Sequence, residues 1–314
     1  MERLLSIFPP ETNPLKRNSI MTLTNFIYYF INGIVMGSLY VLMAIGLSVI
    51  FGMIGIINFA HGVIYAVGAY AMVLVTQQLG YWPAFVISPI LVGLLGMIIE
   101  ASFLRRIYVG DPLRGLLFTF GLAMVLEQLI RIIWGPSGFP YLIPGYFAST
   151  MKSMTSLGIE FSRYRIFIFV CAVGVIFGLW WFIEKTPYGV IIRAGSRDPE
   201  MVRILGISLK PIMTVVFGLG AALAGFAGVL AAPLAGVQPS MGDNVGNIAF
   251  VVVVIGGLGS FWGAVLAGLL VGEVENLSIL IWPPIAQSAM YILMAVILLL
   301  RPRGLFGEKW ERFE

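Results

Sequence analysis

Stretches of about 20 apolar residues recur along the whole chain, and a helix of that length is what crosses roughly 30 Å of hydrocarbon. They run at about 25–51, 63–80, 83–104, 115–134, 164–183, 211–233, 247–257, 263–282 and 284–300, nine candidate crossings in all. Backbone groups in lipid must find partners inside the protein, which leaves helices or a closed barrel. Barrel strands alternate polar and apolar residues, and these runs do not. The expected fold is therefore all-α, a polytopic membrane protein with about eight or nine transmembrane helices, some discontinuous at glycine-rich breaks. Composition agrees: 59% of the 314 residues are hydrophobic and 11% charged, with mean hydropathy +0.97, more apolar surface than a soluble core of this length needs. The 37 glycines suit helices that pack backbone to backbone.

The formal net charge of +4 is spread over short loops, which fits membrane topology and not a nucleic-acid surface. Three loops concentrate basic residues: the turn with Arg105, Arg106 and Arg114, the segment 184–210, and the C-terminal stretch with Arg301, Arg303, Lys309 and Arg312. Nine crossings put all three on one side, the cytoplasmic one by the positive-inside rule, with the N-terminus outside; Arg3, Lys16 and Arg17 weigh against that last placement. The chain divides into a tail over 1–24 without the continuous apolar core of a signal peptide, a polytopic body over 25–307 and a tail over 308–314. The single cysteine, Cys171, lies inside an apolar run and reads as a packing residue; no disulfide framework or cysteine metal site is available.

Two glycine-rich interruptions stand out. The first, Phe51 to Gly62 (FGMIGIINFAHG), holds Asn58 and the chain's only histidine, His61; the second, Gly256 to Gly263 (GGLGSFWG), holds Gly257, Gly259 and Ser260. Broken backbone at membrane depth is tolerated where it is buried in protein or lines a wet cavity, and half-helix ends there can bind a polar solute. Asn58 and His61 either hold the break together or face a solute. The breaks occupy matching places in a weak internal repeat. Residues 25–106 read as helix, break, helix, Trp82-Pro83 turn, helix and Arg-Arg, and residues 247–303 as apolar run, break, helix, Trp282-Pro283 turn, helix and Arg-Pro-Arg. The expected pathway residues are Asn58, His61, Gly62, Gly256, Gly257, Gly259 and Ser260.

Three further groups carry charge or shape. Glu127 and Arg131 lie one helical turn apart beside Gln128 and can pair, either in helix packing or against a solute. Glu273 and Glu275 are two residues apart and so point to different faces, one of them inward; a proton-relay role lacks a partner base. In the loop 184–210, Asp198-Pro199 marks a helix start and Gly206 a stop. The short helix between them offers Met201, Val202, Ile204 and Leu205 among Arg193, Arg197 and Arg203, apolar knobs with a basic rim, suited to a groove on another protein or else simply a solvated basic loop.

The sequence contains no phosphate-binding GxxxxGK[ST] loop, HExxH, GxSxG elbow or spaced cluster of metal ligands. An enzyme role has no recognisable nucleophile setting. Uphill transport would need a partner ATPase or an ion gradient.

The segments Gly46 to Tyr70, Gly189 to Ile207 and Val253 to Gly268 closely resemble the permeases of branched-chain amino-acid ABC importers, over about residues 25–307, and most closely the smaller, H-type subunit. The resemblance implies a pathway between two unlike permease subunits, two cytoplasmic ATP-binding subunits that hold the ATP, a periplasmic substrate-binding protein, a place in the lipid of a bacterial inner membrane, and no cofactor or nucleic acid on the chain itself. It also implies that Arg193, Ala194, Arg197, Asp198, Met201, Arg203, Leu205 and Gly206 form the segment that couples to the ATPase. Arg193 stands where many ABC permeases carry an acidic residue, so the motif match is loose. Urea and short-chain amide importers share much of the pattern, and an ATP-independent secondary transporter remains the rival from a different class.

Overall fold

The structure, a computed structural model, describes residues 23–107, 112–149 and 161–307. Residues 1–22 and 308–314 of the two expected tails lie outside the described residues, while Leu23 and Thr24 already belong to the first helix. The elements are α1 (Leu23–Ile54), α2 (His61–Leu79), α3 (Tyr81–Ile99), α4 (Pro112–Trp134), α5 (Arg163–Lys185), α6 (Pro187–Arg197), α7 (Pro199–Ile204), α8 (Leu209–Ala235), α9 (Met241–Gly256), α10 (Phe261–Ile281) and α11 (Ala286–Leu300). Among the described residues eight helices are long and apolar enough to cross a membrane, and α9 is a shorter apolar helix. The described part is all-helical apart from one isolated bridge, Phe139 to Val237.

α1 and α8 are the most enclosed spans, with α2, α3, α9 and α10 packed around them. The seams are built from glycine. A Cβ on Gly68 would lie 2.3 Å from the carbonyl oxygen of Gly225, one on Gly272 2.4 Å from the Cα of Gly37, and one on Gly62 2.3 Å from the carbonyl oxygen of Gly242. Lipid tails are as apolar as leucine, so helices gain association energy from close packing, and missing side chains let the backbones approach. Outward faces of α4 and α5 stay apolar and open, with Leu117, Met124 and Ile132 on one and Val170 and Phe177 on the other.

The chain after α1 doubles back. His61, first residue of α2, sets Nε2 3.0 Å from the carbonyl oxygen of Met43, about 16 Å back along α1 at ~1.5 Å per residue. Residues 55–60 therefore climb beside α1, and α2 begins inside the bundle. The turn expected at Trp82-Pro83 is made one step earlier, by Gly80 at φ +85°, which ends α2 and starts α3; Trp82 and Pro83 lie in the first turn of the new helix. The order of parts from α1 to α3 parallels that from α9 to α11, with a break after the first helix in each.

α3 leaves α-geometry at Glu100–Leu104, a π-helical turn that runs into a last turn, Arg105–Ile107. The wider turn brings Glu100 and Arg105 onto one face. The fully buried Glu100 Oε2 accepts from Thr214 of α8 at 2.5 Å and from Arg105 at 3.3 Å, and Arg105 also donates to Thr214. This knot fixes the foot of α3 to the foot of α8.

The glycine seams make a sharp prediction. Gly68→Leu drives a side chain into Gly225 backbone, whereas Gly174→Leu on the open face of α5 meets nothing within 4 Å. Overpacking of this kind costs about 1–3 kcal/mol or more. The first variant should lose most of its detergent-stable yield and the second should match the parent in a thermal unfolding assay.

Candidate functional site

The first break is closed by its own side chains and one from α4. Asn58 Oδ1 accepts from Ala60 N at 3.1 Å and the Asn58 carbonyl accepts from His61 N at 3.2 Å, so Asn58 closes a turn just ahead of α2. Thr119 of α4 accepts from Phe59 N at 3.2 Å and reaches the Ile57 carbonyl at 3.4 Å. Asn58 and His61 are 3% and 1% exposed, and the His61 ring lies where α1 meets α8 at Gly46 and Gly220. To bond the Met43 carbonyl, His61 Nε2 must carry the proton; Nδ1 of His61 and Nδ2 of Asn58 are buried without a protein partner. Phe59 between them is the residue that turns outward.

The second break is a tight corner between α9 and α10. Gly257 adopts φ +100°, Ser260 N donates to the Gly257 carbonyl at 3.0 Å, and Ser260 Oγ caps α10 by accepting from Gly263 N at 3.1 Å. Gly256 and Gly263 meet backbone to backbone. The chain past α11 folds under this corner, with Leu305 N and Phe306 N donating to the carbonyls of Ile255 and Gly256 at 2.8 and 3.0 Å. The two breaks share a neighbour: Ser48 Oγ donates to the Ser260 carbonyl at 3.3 Å and Gly52 abuts Gly259, both near the end of α1 that leads into the first break.

That same end of α1 meets the basic loop. α6 starts at Thr186, whose Oγ1 accepts from Gly189 N at 3.1 Å, and α7 starts at Asp198, whose Oδ1 accepts from Met201 N at 2.9 Å. Gly206 ends α7 at φ +80°. Gly195 sits against Met53 of α1, and Val202 is buried with Met53, Ile192, Leu209 and Val216. Val202 thus anchors the pair to the bundle and does not join the outward knobs. Ile204, Leu205 and Met201 are 77%, 69% and 52% exposed, and Ala194, Arg197 and Arg203 are exposed with them. Arg193 turns back, donating to the Ile183 carbonyl and, at 3.0 Å, to Glu184 Oε2, so it fixes the corner between α5 and α6. The sequence reading missed α6 as a helix and with it the exposed Tyr188 and Val190, although Thr186-Pro187 is the same cap-plus-proline signal as Asp198-Pro199. The foot of α3, the α6–α7 pair and the chain after α11 all gather at one end of the bundle, the end that carries the basic loops.

Within α4, Arg131 pairs with Glu127 one turn earlier at 2.5 Å. Both acidic residues of α10 face α1: Glu275 accepts from Tyr40 at 2.6 Å, and the carboxylate of Glu273 lies over Gly33, where a Cβ would meet it at 2.7 Å. The expected division into one inward and one outward glutamate does not hold. Residues two apart on a helix straddle a seam when the glycine between them and the partner helix is as narrow as Gly272 and Gly33 make it.

Residues 29–300 match the family model described as branched-chain amino acid transport system / permease component. This chain belongs to that permease family. It is 34% identical over 297 residues to the high-affinity branched-chain amino acid transport system permease protein BraD of Pseudomonas aeruginosa, covering 90% of this chain and 96% of that protein. It is 29% identical over 296 residues to the corresponding LivH of Escherichia coli K12, with the same coverage. It is also 27% identical to LivM of that organism, over 85% of this chain and 67% of LivM. No solved structure matches it significantly. The permease family model spans α1 through α11, so both breaks and the α6–α7 pair lie inside the matched region.

The Arg193 bonds predict a local effect. Arg193→Met removes the bond to the Ile183 carbonyl, worth about 1.5–3 kcal/mol, and a solvent-screened ion pair with Glu184, worth at most about 1 kcal/mol, so amide exchange should quicken across 187–204 while exchange in α1 and α8 stays as in the parent.

Proposed function

We propose that this chain is one of two unlike permease subunits of an ATP-driven importer that carries leucine, isoleucine and valine across a bacterial inner membrane. The observation that carries the reading is the likeness, along nine-tenths of the chain, to proteins named as high-affinity branched-chain amino-acid permeases. The likeness to both LivH and LivM supports a pair of homologous permeases in the complete transporter. The basic end of the bundle then faces the cytoplasm. Two ATP-binding subunits meet it there, a periplasmic binding protein delivers the amino acid to the other end, and ATP is held by the partners.

The docking surface of this reading is Met201, Ile204 and Leu205 together with Tyr188, presented by helices that Val202 and Gly195 hold against α1. Ala194, Arg197, Arg203 and Gly206 shape its rim, and Arg193 and Asp198 fix its geometry. The pathway runs past the two breaks, with Gly259 and Ser260 at the second and Asn58, His61 and Gly62 supporting the first; Gly256 and Gly257 make the corner.

The test is uptake of labelled leucine into vesicles holding the complex of this chain, its second permease, its ATP-binding subunits and its binding protein. Uptake should require ATP, and isoleucine and valine should compete. Uptake of urea or acetamide in place of leucine, or leucine uptake driven by an ion gradient without ATP, would overturn the reading. Burying an apolar side chain of this size contributes about 1.5–3 kcal/mol. Leu205→Asp combined with Arg197→Glu should therefore cut co-purification of the ATP-binding subunits at least tenfold while the chain itself still reaches the membrane.

A further inference from the structure

α1 and α9 hold corresponding places in the two parallel halves of the chain, and each stops in a helix break at the basic end of the bundle. The end of α1 is clasped from outside by α6, where Gly195 meets Met53. The end of α9 is clasped as well, by residues 301–307 that follow α11. The last carbonyls of a helix have no partner within it, and at a break near the membrane they need donors from elsewhere. Leu305 N supplies one to Ile255 at 2.8 Å and Phe306 N one to Gly256 at 3.0 Å. The sequence prepares this segment locally. Arg301-Pro302-Arg303-Gly304 has proline second and glycine fourth, as a tight turn favours, and Gly304 N donates to the Arg301 carbonyl at 2.9 Å. Arg301 Nη1 then donates to the Leu305 carbonyl at 3.2 Å. Gly304 takes φ +77° and sits so close to α9 that a Cβ on it would stand 2.7 Å from both the Val254 carbonyl oxygen and Gly257 N. Backbone lies on backbone, and the side chains of Arg303 and Phe306 are left exposed.

On the basis of the importer reading above, we propose that residues 301–307 are a second engagement site for the ATP-binding subunit, which takes Phe306 into an apolar pocket and Arg303 onto an acidic group and so acts on the second break directly. The chemistry repeats that of α6 and α7: exposed apolar knobs beside arginines, mounted on a part that is packed against the end of a broken helix. The two sites flank the same turn of α1. Gly52 abuts Gly259 of the corner while the next residue, Met53, meets Gly195 of α6, and Trp180 near the end of α5 lies 6.4 Å from Trp262 at the start of α10. One acidic face with two apolar recesses on a single partner therefore fits both. Hydrogen bonds weaken steeply when stretched or tilted, so a partner that displaces 305–306 moves or frees the last turn of α9 and with it the corner that Ser260 caps. The α6–α7 pair acts in the same way on the first break, through α1.

The experiment uses the complete reconstituted transporter, with leucine uptake and ATP hydrolysis measured in the same vesicles. Leu305→Pro deletes the N–H that reaches Ile255, and the leucine carried per ATP hydrolysed should fall at least fivefold. Leu305→Ala keeps that N–H and should retain at least half of the parent ratio. A merely structural loss lowers both rates together and leaves their ratio as it was. A benzophenone amino acid in place of Phe306 should crosslink to the ATP-binding subunit on irradiation. An unchanged ratio in Leu305→Pro overturns the proposal, and so does a crosslink from position 306 confined to lipid or to this chain; the crosslink decides alone should Leu305→Pro fail to assemble. A transporter that takes up leucine with ATP and crosslinks to its ATP-binding subunit from position 205 but not from 306 contradicts the proposal and leaves the importer reading standing. Failure of the parent complex to take up leucine with ATP would instead count against the importer reading itself.

Discussion

At Gly46 and Gly220 the backbones of α1 and α8 touch with no side chain between them, and the rest of the bundle depends on that contact. A Cβ on Gly46 would lie 2.9 Å from the Gly220 carbonyl oxygen and 3.1 Å from His61 Nε2, so three elements occupy one point. Because the two central helices close there, the chain can return alongside α1, and His61 can reach the Met43 carbonyl from the first turn of α2. Lipid supplies no hydrophobic force to pull helices together, so dispersion and hydrogen bonds at such crossings hold the fold. The same device repeats where α2 crosses α8 at Gly68 and Gly225, and where α10 runs beside α1 at Gly37 and Gly272.

A broken helix in a membrane must repay its lost hydrogen bonds locally, and the two breaks do so with different means. The first borrows Asn58 and Thr119; the second closes on Ser260 and on the segment that follows α11. Both lie against the last turns of α1, whose Met53 also receives α6 and the buried Val202. A contiguous set of packed groups thus runs from the exposed Leu205 through α7 and α1 to both breaks. In an importer driven from outside the membrane, force applied at α6 and α7 has a rigid element to act on, and that element ends where the helices are discontinuous.

Much of this was legible in the sequence, because hydropathy, the two breaks and the caps at Asp198 and Gly206 are local signals. α9 was visible as a run too short to span, and its closing corner as GGLGSFWG. What escaped were features set by distant partners. Glu100 and Arg105 form a site only because the π-turn rotates them onto Thr214, more than a hundred residues away. The inward facing of both Glu273 and Glu275 depends on how closely Gly33 and Gly37 let α1 approach. Phe59 read as one apolar letter beside the more conspicuous Asn58 and His61, and only the fold shows that the polar pair is buried while the phenylalanine faces outward.

The central claim is that the α6–α7 pair is where an ATP-binding subunit engages this permease. Site-specific photo-crosslinking tests it most directly: a benzophenone amino acid placed at Tyr188 or Leu205, and at Val170 as a control, is irradiated in membranes containing the active transporter. The account predicts crosslinks to the ATP-binding subunit from Tyr188 and Leu205, strengthened or weakened by ATP, and none from Val170. A transporter that takes up leucine with ATP yet gives no such crosslink from either position would contradict it.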